Sequence, residues 1–273
     1  MTEVQVSTAN LLIGFGLAAV VAGVAWRLGM LSVEGWFAAI PLGGLTYGLG
    51  GLPAAILLLA FFASSSLLSR AFARAKRQVS ANFAKGGRRD WAQVVANGGV
   101  AVFSLVMAAT GWVATPFAWV AFAAALAAVT ADTWATEIGV LSAGQPFLIT
   151  SGKRVPPGTS GGISFLGSGV ALLGALLISA LAWSLGLITF TVLPFVGLAG
   201  LLGSFIDSAL GATVQAVYWC PQCKKETERY PVHYCGHSTT LYRGWRWLDN
   251  DWVNFLSSLA AALIAIGLFI WFV

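Results

Sequence analysis

One stretch, ATPFAWVAFAAALAAVTADTWATEI at residues 114–138, determines what class of protein this is. Its positions 114–131 contain no charged side chain, and a membrane-spanning helix needs about 20 mostly apolar residues. The two carboxylates of the stretch, Asp132 and Glu137, both come near its end. The stretch therefore predicts a membrane-spanning helix with acidic groups near one surface of the bilayer.

The whole chain has a similar composition. Of its 273 residues 58% are hydrophobic and 9% are charged, and the mean hydropathy is +0.82. Soluble domains carry about 25% charged residues, so a soluble enzyme, a disordered tail and a disulfide scaffold are excluded. Apolar runs predict eight spans, at residues 10–28, 31–49, 51–69, 92–111, 114–138, 164–185, 189–216 and 251–273. The predicted fold class is an all-α polytopic membrane protein, a single integral membrane domain over 1–273 with a bundle of about seven to eight transmembrane helices.

The basic residues predict which way the chain crosses the membrane. Short loops rich in Lys and Arg remain in the cytoplasm, and alternation through eight spans places all 15 of these residues on that side. They fall near 27–30, in a basic loop at 70–91, in 139–163 and in 217–250. We therefore expect an integral membrane protein of the cell's inner or plasma membrane, with its active site facing the cytoplasm. The first apolar stretch lacks a basic leading segment, so no cleavable signal is expected.

Polar side chains within the spans gather at the same side. A carboxylate at membrane depth is costly and persists mainly where it is paired, solvated or functional. Five spans bring polar residues to their cytoplasmic ends, namely Asn97, Asp132, Thr133, Thr136, Glu137, Ser164, Asp207, Ser208, Gln215, Asn250, Asp251 and Asn254. This shared location is the main functional signal in the chain.

The carboxylates are candidates for metal binding and catalysis. Asp132 and Glu137 are five positions apart, which places them about 140° apart around a helix, so neither can replace the other. Hard oxygen ligands near phosphates suit Mg²⁺. The alternatives are a solvent-facing helix end for Glu137 and a hydrogen-bonded packing role for Asp207.

Cations and amides precede and follow these helices. Lys85, Arg88 and Arg89 suit phosphate oxygens, and Asn97 lies about two helical turns deeper. For Arg70 to Arg77 an anchor to lipid headgroups is the favoured interpretation. In the last span Asn250 can cap the helix, but capping does not explain the two residues that lie deeper, Asp251 and Asn254.

A glycine-rich loop at 142–163 is a candidate phosphate-binding segment. It contains Lys153 and Arg154 and then Thr159, Ser160, Gly161 and Gly162, directly before a predicted helix. Exposed backbone N–H groups before a helix N-terminus bind anions. The loop is not a Walker A motif, because no Lys-Ser or Lys-Thr follows the glycines.

All three cysteines lie in the loop 217–250. Cys220 and Cys223 form a Cys-x-x-Cys pair, and Cys235 follows with a histidine on either side of it. This spacing predicts a small zinc-ribbon-like structural site, with His233 or His237 as the fourth ligand. The alternative is three reduced cysteines without a metal, since disulfides are rare on the cytoplasmic side.

Five motifs together resemble a known membrane family. They are GGRRDWAQVVANGG at 86–99, ADTWATEIG at 131–139, TSGGIS at 159–164, DSALGA at 207–212 and NDWVN at 250–254. They resemble the integral membrane family once catalogued only as a domain of unknown function, which includes the plant chloroplast phytyl-phosphate kinase. The resemblance covers about residues 10 to 260. It implies a kinase that converts a prenyl monophosphate into the diphosphate with CTP or another nucleoside triphosphate, and it favours His233 as the zinc ligand.

The residue-level chemistry agrees with such a reaction. Phosphoryl transfer needs positioning and charge neutralisation by Mg²⁺, Lys and Arg. We assign the metal and triphosphate to Asp132, Glu137, Asp207 and Asp251, with Asp132 and Asp207 binding Mg²⁺. We predict substrate and nucleotide contacts for Lys85, Arg88, Arg89, Asn97, Lys153, Arg154, Thr159, Ser160, Gly161, Gly162, Ser208, Asn250 and Asn254.

Other functions stay open at this point. A lipid-alcohol kinase or a cytidylyl transferase would use the same groups, and a transporter would also place Asp and Asn inside helices. The expected partners are the lipid bilayer, a prenyl phosphate and a nucleoside triphosphate, with no nucleic acid. Homo-oligomer formation, the chain length of the lipid and the donor nucleotide are left open.

Overall fold

The structure is a computed structural model that describes residues 4, 6–72, 85 and 87–272. Within these residues seven helices are long and apolar enough to cross a membrane. They are α1 (Thr8–Arg27), α2 (Val33–Ala71), α3 (Trp91–Ala109), α4 (Thr115–Gly139), α5 (Phe165–Ser184), α6 (Leu193–Thr213) and α7 (Asn250–Phe272). The predicted all-α polytopic membrane fold is confirmed.

Helix α2 combines the second and third predicted spans. Its 39 residues are interrupted at Gly51, whose φ of 66° and ψ of −163° are not helical. The two halves run in opposite directions, since Ser32 just before the first half hydrogen-bonds Arg89, and Ser69 near the end of the second half hydrogen-bonds Glu137 at the same end of the bundle. A glycine is required at Gly51 because its positive φ is rarely adopted by other residues. Each half of α2 therefore crosses the membrane once, and with the six other helices the described residues make eight membrane passes.

The charged residues lie at one end of this bundle. We call this end the basic face, and it contains Arg27, Arg70, Lys85, Arg88 and the segments 140–164 and 214–249. At the opposite end, the described residues of the loops 110–114 and 185–192 and of the break at Gly51 carry no charged side chain. Arg74, Lys76 and Arg77 of the predicted basic loop lie outside the described residues.

Helix α4 is the centre of the bundle. In the apolar stretch of α4, 78% of the residues are buried inside the protein, compared with 17% in that of α1. Trp119, Phe122 and Leu126 are fully buried, and most of the other residues toward its centre are alanines. Small side chains let neighbouring helices approach closely, which allows α4 to contact five other helices.

Helices that begin at the basic face are capped by short polar side chains. The Ser32 hydroxyl accepts the Gly35 N–H at 3.0 Å, and the Ser164 hydroxyl accepts the Gly167 N–H at 3.0 Å. Asp90 and Gln93 form a reciprocal capping box at α3. These caps satisfy N–H groups that a helix cannot bond internally, and so they fix where the spans start.

Two small sheets lie outside the spans at the basic face. Strands β1 (Phe147–Leu148) and β2 (Gly162–Ile163) pair antiparallel and frame the glycine-rich loop. Strands β3 (Val217–Cys220), β4 (Lys225–Thr227) and β5 (Thr240–Arg243) form an antiparallel sheet in the order β4-β3-β5. We call residues 217–243, which contain this sheet, the Cys/His lobe.

Candidate functional site

A polar cavity opens between α4, α5, α6 and the glycine-rich loop at the basic face. It has a volume of about 160 Å³ and is lined by residues from five segments that are distant in sequence. The predicted site residues that line it are Asp132, Thr159, Ser160, Gly161, Gly162, Ser208 and Asn250. The fold therefore brings together about a third of the predicted residues around one cavity.

Asp132 and Glu228 are the carboxylates that line the cavity, and Asp207 lies near Asp132. Asp132 of α4 lines it, and Asp207 of α6 is buried close enough for the two charges to interact. The Ser257 hydroxyl of α7 donates to Asp207 Oδ2 at 3.1 Å and holds that side chain in place. Two carboxylates at membrane depth repel each other unless a cation lies near them, so this pair is suited to bind a divalent metal.

The glycine-rich loop is held tightly against the end of α6. Gly161 has a φ of 83°, and a Cβ at this position would overlap Ala212. The Arg243 guanidinium of the Cys/His lobe donates to Gly211 O at 2.8 Å and to Ser160 O at 3.4 Å. These contacts fix the backbone at the cavity wall, as an anion-binding loop requires.

A buried glutamine joins this loop to the Cys/His lobe. Gln215, at the end of α6, accepts a hydrogen bond from the Ser160 hydroxyl at 2.9 Å and donates to Glu228 Oε1 at 2.8 Å. Glu228 itself lines the polar cavity. Sequence reasoning included Gln215 among the polar residues of the spans but did not predict Glu228, whose position depends on how the lobe folds back.

The second carboxylate of α4 faces elsewhere. Glu137 is buried and accepts a hydrogen bond from the Ser69 hydroxyl of α2 at 2.7 Å. The Arg89 guanidinium is close enough to interact with Glu137, and it lies over the rings of Phe61 and Phe62 at 5.1 and 5.3 Å. Burial lowers the pKa of Arg89 to about 10, although the charge of Glu137 opposes this shift. Asp132 and Glu137 thus serve different sides of the helix, as their spacing predicts.

Arg89 and Asn97 belong to an apolar groove between α1, both halves of α2 and α3. The groove has a volume of about 210 Å³, and Tyr47, Arg89, Gln93 and Asn97 are the lining residues with polar side chains. The Asn97 amide donates to Gln93 O of its own helix at 2.8 Å. Neither Arg89 nor Asn97 lines the polar cavity.

Lys85 connects α3 to α7. Its ammonium group pairs with Asp90 Oδ2 at 2.7 Å and with Asp251 Oδ2. Burial disfavours the charged form of Lys85, but the hydrogen bonds to Asp251 and Asp90 outweigh it, and the pKa of Lys85 is raised above its ordinary value. Asp251 is thus neutralised by a cation, and the Asn254 amide donates to Asn250 O of its own helix at 2.9 Å.

None of the five predicted cations lines the polar cavity, and three of them are exposed. Lys153 and Arg154 are exposed on the hairpin that leads into the loop, and the Arg154 guanidinium lies over the Phe147 ring at 5.7 Å. Arg88 is exposed, and its guanidinium lies beside Gly29. These three residues do not line the cavity that Asp132 lines.

A second cleft continues from the cavity toward the Cys/His lobe. It has a volume of about 310 Å³ and shares Pro157, Gly158, Thr159, Ser160 and Glu228 with the cavity. The lobe contributes Trp219, Lys224, Lys225 and Glu226 to it. Sequence reasoning missed these lysines because it treated the lobe as structural, and their position next to Cys223 was the available signal.

The Cys/His lobe contains a candidate metal centre. One ligand atom from each of Cys220, Cys223, His233 and Cys235 can be chosen so that all four lie within 4.8 Å of one another, and this set includes His233 but not His237. Hydrogen bonding to His233 and to the backbone at His237 lowers the pKa of Cys235 to about 5. A thiolate among three further N and S donors is the usual ligand set of a structural zinc. The donor set therefore fits the predicted metal.

Comparison with known proteins gives one family. The model of the family described as "Integral membrane protein DUF92" matches residues 16–262. "Protein PGR" of Arabidopsis thaliana is 35% identical over 232 residues, covering 76% of this chain and 78% of that protein. "Protein VTE6, chloroplastic" of Arabidopsis thaliana is 26% identical over 239 residues, covering 86% of this chain and 64% of that protein.

A third relative is microbial. An uncharacterized membrane protein of Synechocystis is 25% identical over 244 residues, covering 88% of this chain and 83% of that protein. No solved structure matches the chain.

Proposed function

The chain belongs to the integral membrane family DUF92, and from this membership we propose that it is a membrane kinase for a prenyl monophosphate. The donor is a nucleoside triphosphate, with CTP as the expected one, and the product is the prenyl diphosphate. The observation that carries the proposal is the polar cavity, where Asp132 and the glycine-rich loop face each other at one end of a membrane bundle. The motif resemblance to the family that includes the plant phytyl-phosphate kinase supports the same reaction.

The location of the cavity suits an amphiphilic acceptor. A prenyl phosphate has its tail in the bilayer and its charged head at the interface, and the cavity lies at the basic face among the ends of α4, α5 and α6. An enzyme for such a substrate needs phosphate-binding groups at the bilayer surface and access from the lipid. By the positive-inside rule we assign the basic face to the cytoplasm.

The proposed reaction needs no strong general base. An oxygen of the acceptor phosphate forms a bond to the γ phosphorus of the donor, and the bond from that phosphorus to the β–γ bridging oxygen breaks. The nucleoside diphosphate leaves with the electron pair. A phosphate monoester is mostly dianionic at neutral pH because its second pKa is about 6, so no proton has to be removed first. This agrees with a cavity lining that contains no histidine.

In this proposal the carboxylates at the cavity would bind the metal, and neutral donor groups would bind the phosphates. Asp132 and Asp207 would hold Mg²⁺, which neutralises phosphate oxygens when it is bound. The backbone of Thr159–Gly162 and the Ser208 hydroxyl would orient the phosphates. Glu137 and Asp251, which are engaged with Ser69 and Lys85, would support the helices around the cavity.

The metal centre of the lobe has a structural role in this proposal. Its four donors lie in a loop that has too few apolar residues for a core of its own, and zinc binding can supply the folding free energy of such a loop. Gln215 and Arg243 hydrogen-bond Ser160, so the position of the lobe would affect the position of the glycine-rich loop. Zinc would therefore stabilise one wall of the cavity without taking part in the transfer.

The test is a transfer assay with purified protein in lipid nanodiscs. The protein is incubated with γ-labelled CTP, ATP or GTP, Mg²⁺ and a panel of prenyl alcohols and prenyl monophosphates, and the lipid products are identified by mass. We expect label in the prenyl diphosphate. Absence of label from every lipid, under conditions where the protein is folded and binds metal, would contradict the kinase.

The same assay separates the neighbouring reactions. Label in a prenyl monophosphate identifies an alcohol kinase, and a CDP-lipid identifies a cytidylyl transferase. Uptake of a prenyl phosphate into sealed vesicles without nucleotide identifies a transporter. Each of these results would replace the proposed reaction.

A further inference from the structure

The cleft between the glycine-rich loop and the Cys/His lobe has the size and composition of a ligand site. Its volume of about 310 Å³ is at the lower end of the range for small-molecule sites. One wall is the loop segment 155–160, and the other is formed by β3, β4 and the turn between them. The wall next to the polar cavity is shared, so a single extended ligand can occupy both spaces.

The groups on the lobe side differ from those of the cavity. Lys224 and Lys225 are cations with flexible stems, Glu226 and Glu228 are acceptors, and Trp219 offers an aromatic surface. Ammonium groups bind phosphate oxygens, carboxylates accept hydrogen bonds from ribose hydroxyls or an exocyclic amine, and rings stack on bases. These three kinds of group match the three parts of a nucleotide.

The lysines are held in place by the fold of the lobe. Lys224 and Lys225 directly follow Cys223, and Lys225 pairs with Cys220 across the β3–β4 hairpin. The Lys225 ammonium lies over the Tyr234 ring at 5.1 Å, next to Cys235 in sequence. The residues that would bind the metal therefore also determine where the two cations lie.

We propose that this cleft binds the nucleoside triphosphate, with its base and ribose against the lobe and its phosphates leading along the glycine-rich loop to Asp132. The assignment rests on the proposed function for the identity of the acceptor, but not for the binding itself. It gives the Cys/His lobe a direct role in binding the donor, in addition to its structural one.

The test is equilibrium binding of labelled CTP, ATP and GTP, with Mg²⁺ and without any lipid acceptor, to the full chain in nanodiscs. We expect Lys225→Gln to weaken nucleotide binding about tenfold, as expected for one lost charge-assisted hydrogen bond. Lys225→Arg keeps the cation and should bind within about twofold of wild type. The matched control is Arg246→Gln, which removes an exposed cation outside the cleft and should leave the affinity unchanged.

Competition identifies which part of the ligand occupies the cleft. We expect the nucleoside triphosphate to compete better than inorganic tripolyphosphate, and Trp219→Leu to reduce this difference. Equal competition by both compounds, or wild-type affinity in Lys224→Gln and Lys225→Gln, would overturn the assignment. Metal content and thermal midpoint are measured for each variant, so that loss of the lobe fold is recognised.

The outcomes also separate this inference from the proposed reaction. Nucleotide binding that depends on Lys225, in a protein that phosphorylates no prenyl monophosphate, supports the cleft and refutes the acceptor. Prenyl phosphate kinase activity with a Michaelis constant for nucleotide that is unchanged in Lys225→Gln supports the reaction and refutes the cleft.

Discussion

The two carboxylates of α4, on different sides of the helix, have different surroundings. On one side, toward α2 and α3, Glu137 is held by Ser69 and lies near the Arg89 guanidinium, beside an apolar groove. On the other side, toward α5 and α6, Asp132 lines a polar cavity whose wall is a glycine-rich loop. Removing the partner of a buried charge destabilises a fold, and acidic groups beside an accessible cavity can bind a ligand. The comparison teaches that two carboxylates five residues apart need not share a role.

The largest expected effect separates these two carboxylates. Asp132→Asn should lower turnover by about a hundredfold or more, because it removes a metal-binding charge from the cavity. Glu137→Gln keeps the acceptor for the Ser69 hydroxyl and should lower turnover by less than about tenfold. Steady-state rates of the two purified variants check this. Equal losses would show that the two sides of α4 act as one site.

The candidate metal centre lies in the Cys/His lobe, which contacts the cavity on the Asp132 side of α4. Cys220→Ser should abolish metal binding and destabilise the Cys/His lobe, because a site with one ligand missing holds zinc poorly. His237→Asn, in the same loop but outside the ligand set, should retain the metal. Elemental analysis and the nucleotide affinity of both variants are the measurements. Wild-type metal content in Cys220→Ser would refute the centre.

Alanine substitutions at two glycines of the loop test how rigid the cavity wall must be. Gly161→Ala and Gly152→Ala both place a side chain at a positive φ, but only at Gly161 does the new Cβ meet another residue, Ala212. Overpacking costs about 1–3 kcal/mol beyond the backbone strain, so Gly161→Ala should reduce turnover about tenfold more than Gly152→Ala. Turnover and thermal midpoint of both variants test this. Equal behaviour would mean that the loop can move away from α6 without consequence.

The smallest expected effects concern two amides. Asn97 and Asn254 each donate to a backbone carbonyl of their own helix, at 2.8 and 2.9 Å. Asn97→Ala and Asn254→Ala should therefore change turnover by less than about threefold, close to the effect of one neutral hydrogen bond. Asn250→Ala, whose residue lines the cavity, is the comparison variant and should have the larger effect. A loss above about thirtyfold for Asn97 or Asn254 would restore their predicted role in orienting phosphates.

Much of the fold could be predicted because the bilayer imposes a strong constraint. Apolar runs of the required length marked every pass, and the two passes on either side of Gly51 were predicted as separate spans. The basic residues that the structure describes lie at one end of the bundle, as expected if charged loops are not translocated easily. Asp132, the glycine-rich loop and the cysteine spacing were recognised because each depends on local chemistry.

The rest depended on contacts between distant segments. Lys153 and Arg154 precede Thr159–Gly162 within the glycine-rich loop, but they lie exposed between β1 and β2. Lys85 was predicted to bind phosphate, and in the structure it pairs with Asp90 and Asp251. Lys224 and Lys225 were overlooked, and the fold of the lobe brings them to the cleft. In each case the local sequence identified a charged residue but did not determine which groups its side chain would contact.

The sequence by itself determined the membrane class, the side on which the charges gather and the residue types that can bind metal and phosphate. Only the tertiary structure decided which of these groups meet. Length and hydropathy act on each segment separately, and so they can be read along the chain. A cavity, in contrast, requires α4, α5, α6 and the loop after α4 to come together, and a side chain reaches it only if its helix is rotated toward it. That rotation is set by the packing of small residues across helices, which turns Asp132 toward the cavity and Glu137 toward α2.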